Sequence, residues 1–153
     1  ATDTCTFNST QKAMWNGDYK AIPFGMPGIE TMVPLTYSTG VREGRLTLEQ
    51  MIAVLCENPA RLFGLWPRKG SLTVGADADV VVFDPDCEVT ITPEVLATNC
   101  DYSPFEGTKV TGWPQTTLLR GKVIVKDRVF TGAPGQGQFL HRKPPFAPVK
   151  EEG

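Results

Sequence analysis

The chain contains one histidine, His141, among its 153 residues, and none of its cysteines forms a Cys-x-x-Cys pair. Structural and catalytic zinc sites need three or four protein ligands, so this chain offers no such cluster by itself. His141 stands in FLHRKPPF, a charged and proline-rich stretch that is typical of a solvated tail. We therefore assign it no ligand role.

Other missing sequence features exclude further classes of protein. No apolar run approaches the roughly 18 residues that suggest a membrane helix. The formal net charge is −2 with interspersed signs, so no basic stripe indicates a nucleic-acid partner. There is no G-x-G-x-x-G after a strand for a phosphate and no G-x-S-x-G for a serine nucleophile. The cysteines are irregularly spaced, which predicts a reducing, cytoplasmic location; they are Cys5, Cys56, Cys87 and Cys100.

The length limits the fold. A chain of 153 residues can hold a domain with its own core, but a complete (β/α)₈ barrel needs about 250 residues. The sequence opens on Ala1 without an initiator methionine or a helix-start signal. We expect it to be part of a longer polypeptide.

Apolar periodicity predicts two helices before residue 66. Leucine, methionine and isoleucine recur at helical spacing from Leu48 to Leu55, after Thr47 as N-cap. Cys56 falls in this apolar run, so we expect a buried thiol. Asn58-Pro59 should end this helix and begin a second one, which stops at Gly64.

Residues 69–131 are predicted to be rich in β-strands. Predicted strands are Ser71–Val74, Val80–Phe83 closed by Asp84-Pro85, Val89–Ile91, Gln115–Leu119, Lys122–Lys126 and Val129–Phe130. Arg120-Gly121 and Asp127-Arg128 should form the turns between the last three strands. Residues 133–153, rich in glycine, proline and charge, should form an extended tail.

Four segments resemble one enzyme family when they are read in order: ATDTCTFNSTQKA, IPFGMPGIETMVPL, NPARLFGLWPRKGSLTVGADADVVVFDP and DYSPFEGTKVTGWPQTTLLRGKVIVKD. They resemble hydantoinases and dihydropyrimidinases, the cyclic-amide hydrolases of the amidohydrolase superfamily. The resemblance implies an α/β fold: the end of a (β/α)₈ barrel over residues 1–66, most of a small β-sandwich over 67–132, and the tail over 133–153.

The same resemblance implies a site. The Asp of TDTCTFN, Asp3, would bind one of two divalent metal ions, with zinc expected, and would act as the catalytic base. Its other metal ligands would lie outside this chain. Phe24 stands in IPFGMPG where hydantoinases commonly carry an Asn that binds the ring, so Phe24 becomes a candidate substrate contact and a departure that puts the substrate in doubt. An alternative is that Phe24 only packs its loop.

The implied activity is the opening of a hydantoin or dihydropyrimidine ring to an N-carbamoyl amino acid. The implied partners are a small cyclic amide and further copies of the protein, as a dimer or tetramer, with no nucleic acid and no membrane. The isolated chain should be inactive. Two alternatives stay open: an allantoinase or other cyclic amidohydrolase, and a non-catalytic scaffold relative of dihydropyrimidinase, which Asp3 disfavours because such scaffolds typically lose this residue.

Overall fold

The computed structural model of the protein describes residues 2–142. The regular elements are four short helices, α1 (Ser9–Ala13), α2 (Met32–Leu35), α3 (Leu48–Ile52) and α4 (Asn58–Leu62), and four strands, β1 (Val80–Thr90), β2 (Lys109–Leu119), β3 (Lys122–Lys126) and β4 (Val129–Phe130). Two π-helical turns, Thr36–Val41 and Ala53–Glu57, extend α2 and α3, and single 3₁₀ turns cover Tyr19–Ala21 and Pro93–Val95. No helix in this part of the chain is long and apolar enough to cross a membrane.

The strands form one sheet in the order β1-β2-β3-β4. The pairs β2/β3 and β3/β4 are antiparallel, with a bulge in the first pair between Thr117 and Leu118. Ile91 N donates to Thr108 O near one end of β1, and Gly121 N donates to Ala78 O near the other. Because early residues of one strand meet late residues of the next, β1 and β2 are antiparallel as well.

Both predicted hairpin turns are confirmed. Arg120 and Gly121 have φ of 48° and 76°, and Asp127 and Arg128 have φ of 50° and 68°. Left-handed backbone at both central residues matches the right-handed twist of the flanking strands, which explains why non-glycine residues are held there.

Two strand predictions are wrong. Ser71–Val74 forms no strand, because the Ser71 hydroxyl donates to Pro67 O and Ala76 N donates to Thr73 O, which closes local turns instead. Val74 is fully exposed and has no sheet face to cover. The strand that begins at Val80 does not stop at Asp84-Pro85 but runs on to Thr90, so two predicted strands are one.

The predicted helix start at Thr47 is confirmed, with a capping box in which Thr47 and Gln50 satisfy each other's backbone N–H groups. Asn58-Pro59 does not interrupt the helical run. The π turn brings Asn58 N to Ala53 O, and α4 follows directly, ending before Gly64 at φ 67°. Cys56 is exposed, so the predicted buried thiol is wrong; the run buries Met51 instead.

The described residues divide into two compact units, one of residues 2–43 and 84–113 and the other of residues 44–83 and 114–142. Each unit joins an early stretch to a late one. The domain ranges 1–66, 67–132 and 133–153 stay a prediction, as does the assignment of barrel and sandwich. Residues 133–142 form no helix or strand, and the remainder of the expected tail lies outside the described residues.

The core of the first unit lies around the end of β1 and the start of β2. Ile91, Val110 and Trp113 are almost completely buried together with Val89. Leu35, Val95, Leu96 and Phe105 cover them. Removing a side chain such as that of Ile91 from water contributes about 2 kcal/mol, so this cluster anchors the segments that flank it.

An ion-pair network fixes the loop before β1 in the second unit. Lys69 Nζ lies 2.9 Å from Asp77 Oδ2 and also contacts the Asp79 carboxylate, while Arg68 Nε lies 3.0 Å from Asp77 Oδ2. Asp79 Oδ1 accepts the backbone N–H of Arg120, in the β2–β3 turn, at 2.9 Å. Through Asp79 the network therefore joins residues 68–69 to the hairpin.

The charges of this network shift each other's titration. The hydrogen bond from Lys69 lowers the pKa of Asp77 against the opposing effect of desolvation, and the hydrogen bond from Arg68 lowers it further. Desolvation alone would lower the pKa of Lys69, but its hydrogen bonds to Asp79 and Asp77 raise it. The stabilisation is thus lost as pH falls through the lowered pKa of Asp77, and lost again as pH rises through the raised pKa of Lys69.

We expect Lys69→Met to lower the free energy of unfolding by about 1 kcal/mol at neutral pH, a size limited by solvent screening. The difference from the unmodified chain should shrink in acid, where Asp77 protonates and the network is already lost. Urea unfolding at several pH values measures both effects, with Lys122→Met on β3 as the control for losing an exposed lysine. A loss that is independent of pH would contradict the electrostatic account.

Candidate active site

The segment that carries Asp3 forms no helix or strand from residue 2 to residue 7. Asp3 is exposed and has φ of 48°, a left-handed conformation that is uncommon for a residue with a side chain. No hydrogen bond or ion pair joins its carboxylate to another residue of the range 2–142. The carboxylate is therefore available to a ligand.

Phe24 lies in a loop whose backbone is bound by one lysine side chain. Lys12 Nζ donates to the carbonyl oxygens of Pro23 and Gly25, the second at 2.7 Å, and lies 5.6 Å from the Phe7 ring centroid. The Phe24 side chain, between these two anchored carbonyls, is 78% exposed. Its ring therefore lies largely in solvent within the part of the chain that the structure describes.

The two segments meet at Gly25, which has φ of 113°. A Cβ atom at this position would lie 2.4 Å from Cys5 Cβ and 2.7 Å from Cys5 O, so only glycine permits the approach. At Gly28 the fit is looser, since a Cβ would lie 3.7 Å from Thr4 Oγ1. The structure therefore brings the neighbourhoods of both predicted site residues together.

A cleft of about 400 Å³ lies beside this contact. Its lining comes from three segments of the first unit: Thr4, Thr6, Pro27, Gly28, Ile29, Glu30, Thr31, Leu96, Ala97 and Thr98. The Glu30 carboxylate accepts the N–H groups of Ala97 and Thr98 at 2.9–3.1 Å and so closes one side of the cleft.

Sequence reasoning did not identify these lining residues. The alternation of threonine at positions 4 and 6 was a usable signal, because alternate residues of a strand-like segment share one face. Glu30 gave no such signal, since its backbone partners lie 67 and 68 positions away.

The described residues offer only part of a metal-binding site. No group of three or more His, Cys, Asp or Glu residues that could hold a metal ion occurs within residues 2–142. His141 lies in the tail with its ring against that of Phe139, at a centroid distance of 5.0 Å. Asp3, as an unpaired exposed carboxylate, suits one ligand position of a divalent cation and no more.

The model of the amidohydrolase family matches residues 2–124, and the chain belongs to that family. It is 47% identical to D-hydantoinase of Geobacillus stearothermophilus, over 92% of this chain and 30% of that protein. It is 46% identical to D-phenylhydantoinase of Escherichia coli (strain K12 / DH10B), over 97% of this chain and 32% of that protein.

The fold agrees with these similarities. The structure of D-hydantoinase (dihydropyrimidinase) from Thermus sp. superimposes with a TM-score of 0.90 at 43% identity, covering 94% of this chain and 31% of that one. The chain thus spans about a third of the length of the relatives it matches, and the resemblance to hydantoinases and dihydropyrimidinases found in the four sequence segments is confirmed.

We expect Gly25→Ala to destabilise the chain more than Gly17→Ala. Both positions have positive φ, 113° and 87°, but a Cβ at Gly17 meets nothing within 4 Å. The difference therefore isolates the collision with Cys5, which should add roughly 1–3 kcal/mol to the strain that both variants share. Equal losses in urea unfolding would mean that the two segments separate without cost.

Proposed function

We propose that this chain forms part of a metal-dependent hydrolase that opens cyclic amides, converting a hydantoin or dihydropyrimidine to an N-carbamoyl amino acid. The observation that carries the proposal is the likeness to D-hydantoinases over more than nine tenths of the chain, at 47% identity. The free carboxylate of Asp3, beside the loop of Phe24, supports it. The likeness to hydantoinases and dihydropyrimidinases gives no separate support to an allantoinase-like enzyme or a non-catalytic scaffold.

Within this proposal Asp3 is the catalytic base and one metal ligand. Two divalent cations, with zinc expected, would supply Lewis-acid polarisation and a lowered pKa of bound water when present. Asp3 would accept the proton of the attacking water and deliver it to the amide nitrogen that leaves as the ring opens. The remaining ligands come from outside residues 2–142. The working enzyme would be a homo-oligomer in the cytoplasm.

Phe24 would line the entrance for the ring substituent. Its exposed ring supports this role, because an aromatic side chain in water at the edge of a site gains by covering an apolar group. An Asn at the same place would instead offer hydrogen bonds to the ring amide. The proposal therefore favours bulky or aryl-substituted rings over small unsubstituted ones.

The function can be tested in hybrid enzymes. This chain would replace the matching segment of Geobacillus stearothermophilus D-hydantoinase and, separately, of the Escherichia coli D-phenylhydantoinase. We expect folded, metal-loaded hybrids to hydrolyse hydantoins. Asp3→Asn should lower kcat by about 10²–10⁴-fold, because an amide cannot accept the proton. Asp86→Asn is the control, since the Asp86 side chain is 87% exposed and pairs only weakly with Arg42.

Two results would contradict the proposal. Hybrids that fold and load metal yet hydrolyse no cyclic amide would remove the assigned activity. Normal turnover by Asp3→Asn at full metal occupancy would place the base elsewhere.

A separate measurement addresses Phe24. We expect Phe24→Asn to raise the specificity constant for dihydrouracil relative to that for an aryl-substituted hydantoin, by an amount equivalent to roughly 1–3 kcal/mol. The matched control is Met26→Asn, which changes another exposed apolar side chain of the same loop. A ratio that moves equally in both variants would show that Phe24 has no special contact with substrate.

A further inference from the structure

The motif DYSPFEG, residues 101–107, begins the last of the four segments that resemble hydantoinases, yet the proposed function makes no use of it. In the structure its first residue reaches back to the start of α1. Asp101 Oδ1 accepts the N–H of Ser9 at 2.8 Å, and its Oδ2 accepts the Ser9 hydroxyl. The preceding residue, Cys100, is buried and donates its thiol to Phe7 O at 3.2 Å.

These contacts are made to Phe7 and Ser9, a few residues after the candidate base Asp3. Residues 2–7 belong to no strand or helix of the described part of the chain, and Asp3 is exposed with a strained backbone conformation. Strained, exposed residues keep one geometry only when their surroundings fix it. Gly25, packed on Cys5, supplies one anchor, and the bonds from residues 100–101 to residues 7–9 supply a second.

We propose that Asp101 is a positioning residue: by holding Ser9 through both carboxylate oxygens, it fixes the segment that carries Asp3, the base of the proposed reaction. The inference rests on that proposed function. Only four peptide units separate Asp3 from Phe7, so a displacement at Phe7–Ser9 is passed along a short stretch of backbone to Asp3. A base that is misplaced by about 1 Å can lose up to about 10²-fold in rate.

The chemistry of Asp101 suits this task. Ionised carboxylates form shorter and stronger hydrogen bonds than amides, and one carboxylate has acceptors for both Ser9 donors. The Ser9 hydroxyl and then the Ser9 N–H lower the pKa of Asp101, so the charge is kept at neutral pH. Asn at this position retains one acceptor for the Ser9 N–H, whereas Ala retains none.

The structural effect of Asp101 can be measured by hydrogen exchange in the hybrid enzymes. Asp101→Ala should speed exchange of the amides of Asn8 and Ser9, with Ser9 most affected, and Asp101→Asn should restore most of the protection. Asp86→Ala, which removes another exposed carboxylate of the same unit, should leave these amides unchanged. Unchanged exchange in Asp101→Ala would overturn the inference.

The effect of Asp101 on catalysis is measured in the hybrid enzymes. Asp101→Ala should lower kcat by about tenfold to 10²-fold with little change in KM, per metal-loaded enzyme, and Asp101→Asn should recover most of the loss. If Asp101 acts through Asp3, the loss should nearly disappear on an Asp3→Asn background, because the base it positions is already gone. A full additional loss on that background would overturn the inference, as would an effect confined to the melting temperature.

The outcomes separate this inference from the proposed function. Hybrids without any cyclic-amide hydrolysis contradict the function, and with it the assignment of Asp3 as the base that Asp101 holds. Active hybrids in which Asp101→Ala matches the Asp86→Ala control contradict the positioning role alone.

Discussion

Two carboxylates that accept backbone N–H groups hold the first unit together. Glu30 takes the N–H groups of Ala97 and Thr98, and Asp101 takes that of Ser9. Each ties an early segment to one near residue 100 at a point where neither segment belongs to the sheet. An ionised acceptor is roughly twice as strong as a neutral one, which suits ties that must hold irregular backbone. The second unit has the same type of hydrogen bond at Asp79, whose carboxylate accepts the N–H of Arg120.

The sequence predicted the fold best where local chemistry decides the outcome. The capping residue Thr47, the stop at Gly64 and the turn at Arg120-Gly121 all appear as expected, because each depends on neighbours within a few positions. One prediction failed where distant partners decide. Asp84-Pro85 looked like the end of a strand, yet β1 passes through it, since pairing across the sheet outweighs the local preference for a turn.

The candidate site was predicted in part. Asp3 and Phe24 were identified from their motifs, and the structure places their segments in contact at Gly25. Glu30 and Asp101 could not be recognised, because a carboxylate that accepts backbone N–H groups looks the same in sequence as one in water. Their importance depends on which backbone donors the fold brings within 3 Å, and those donors lie far away in sequence.

The tie between Ser9 and Asp101 spans 92 positions, and this separation has a consequence for the order of events on the ribosome. At about 5–20 residues per second, Asp101 is added roughly 5–18 seconds after Ser9. During that interval the nascent segment around Asp3 has no acceptor from residue 101 and no thiol from Cys100. The surroundings of Asp3 are therefore completed late in synthesis, after α2 and the helical run from Leu48 to Leu62 have already been made.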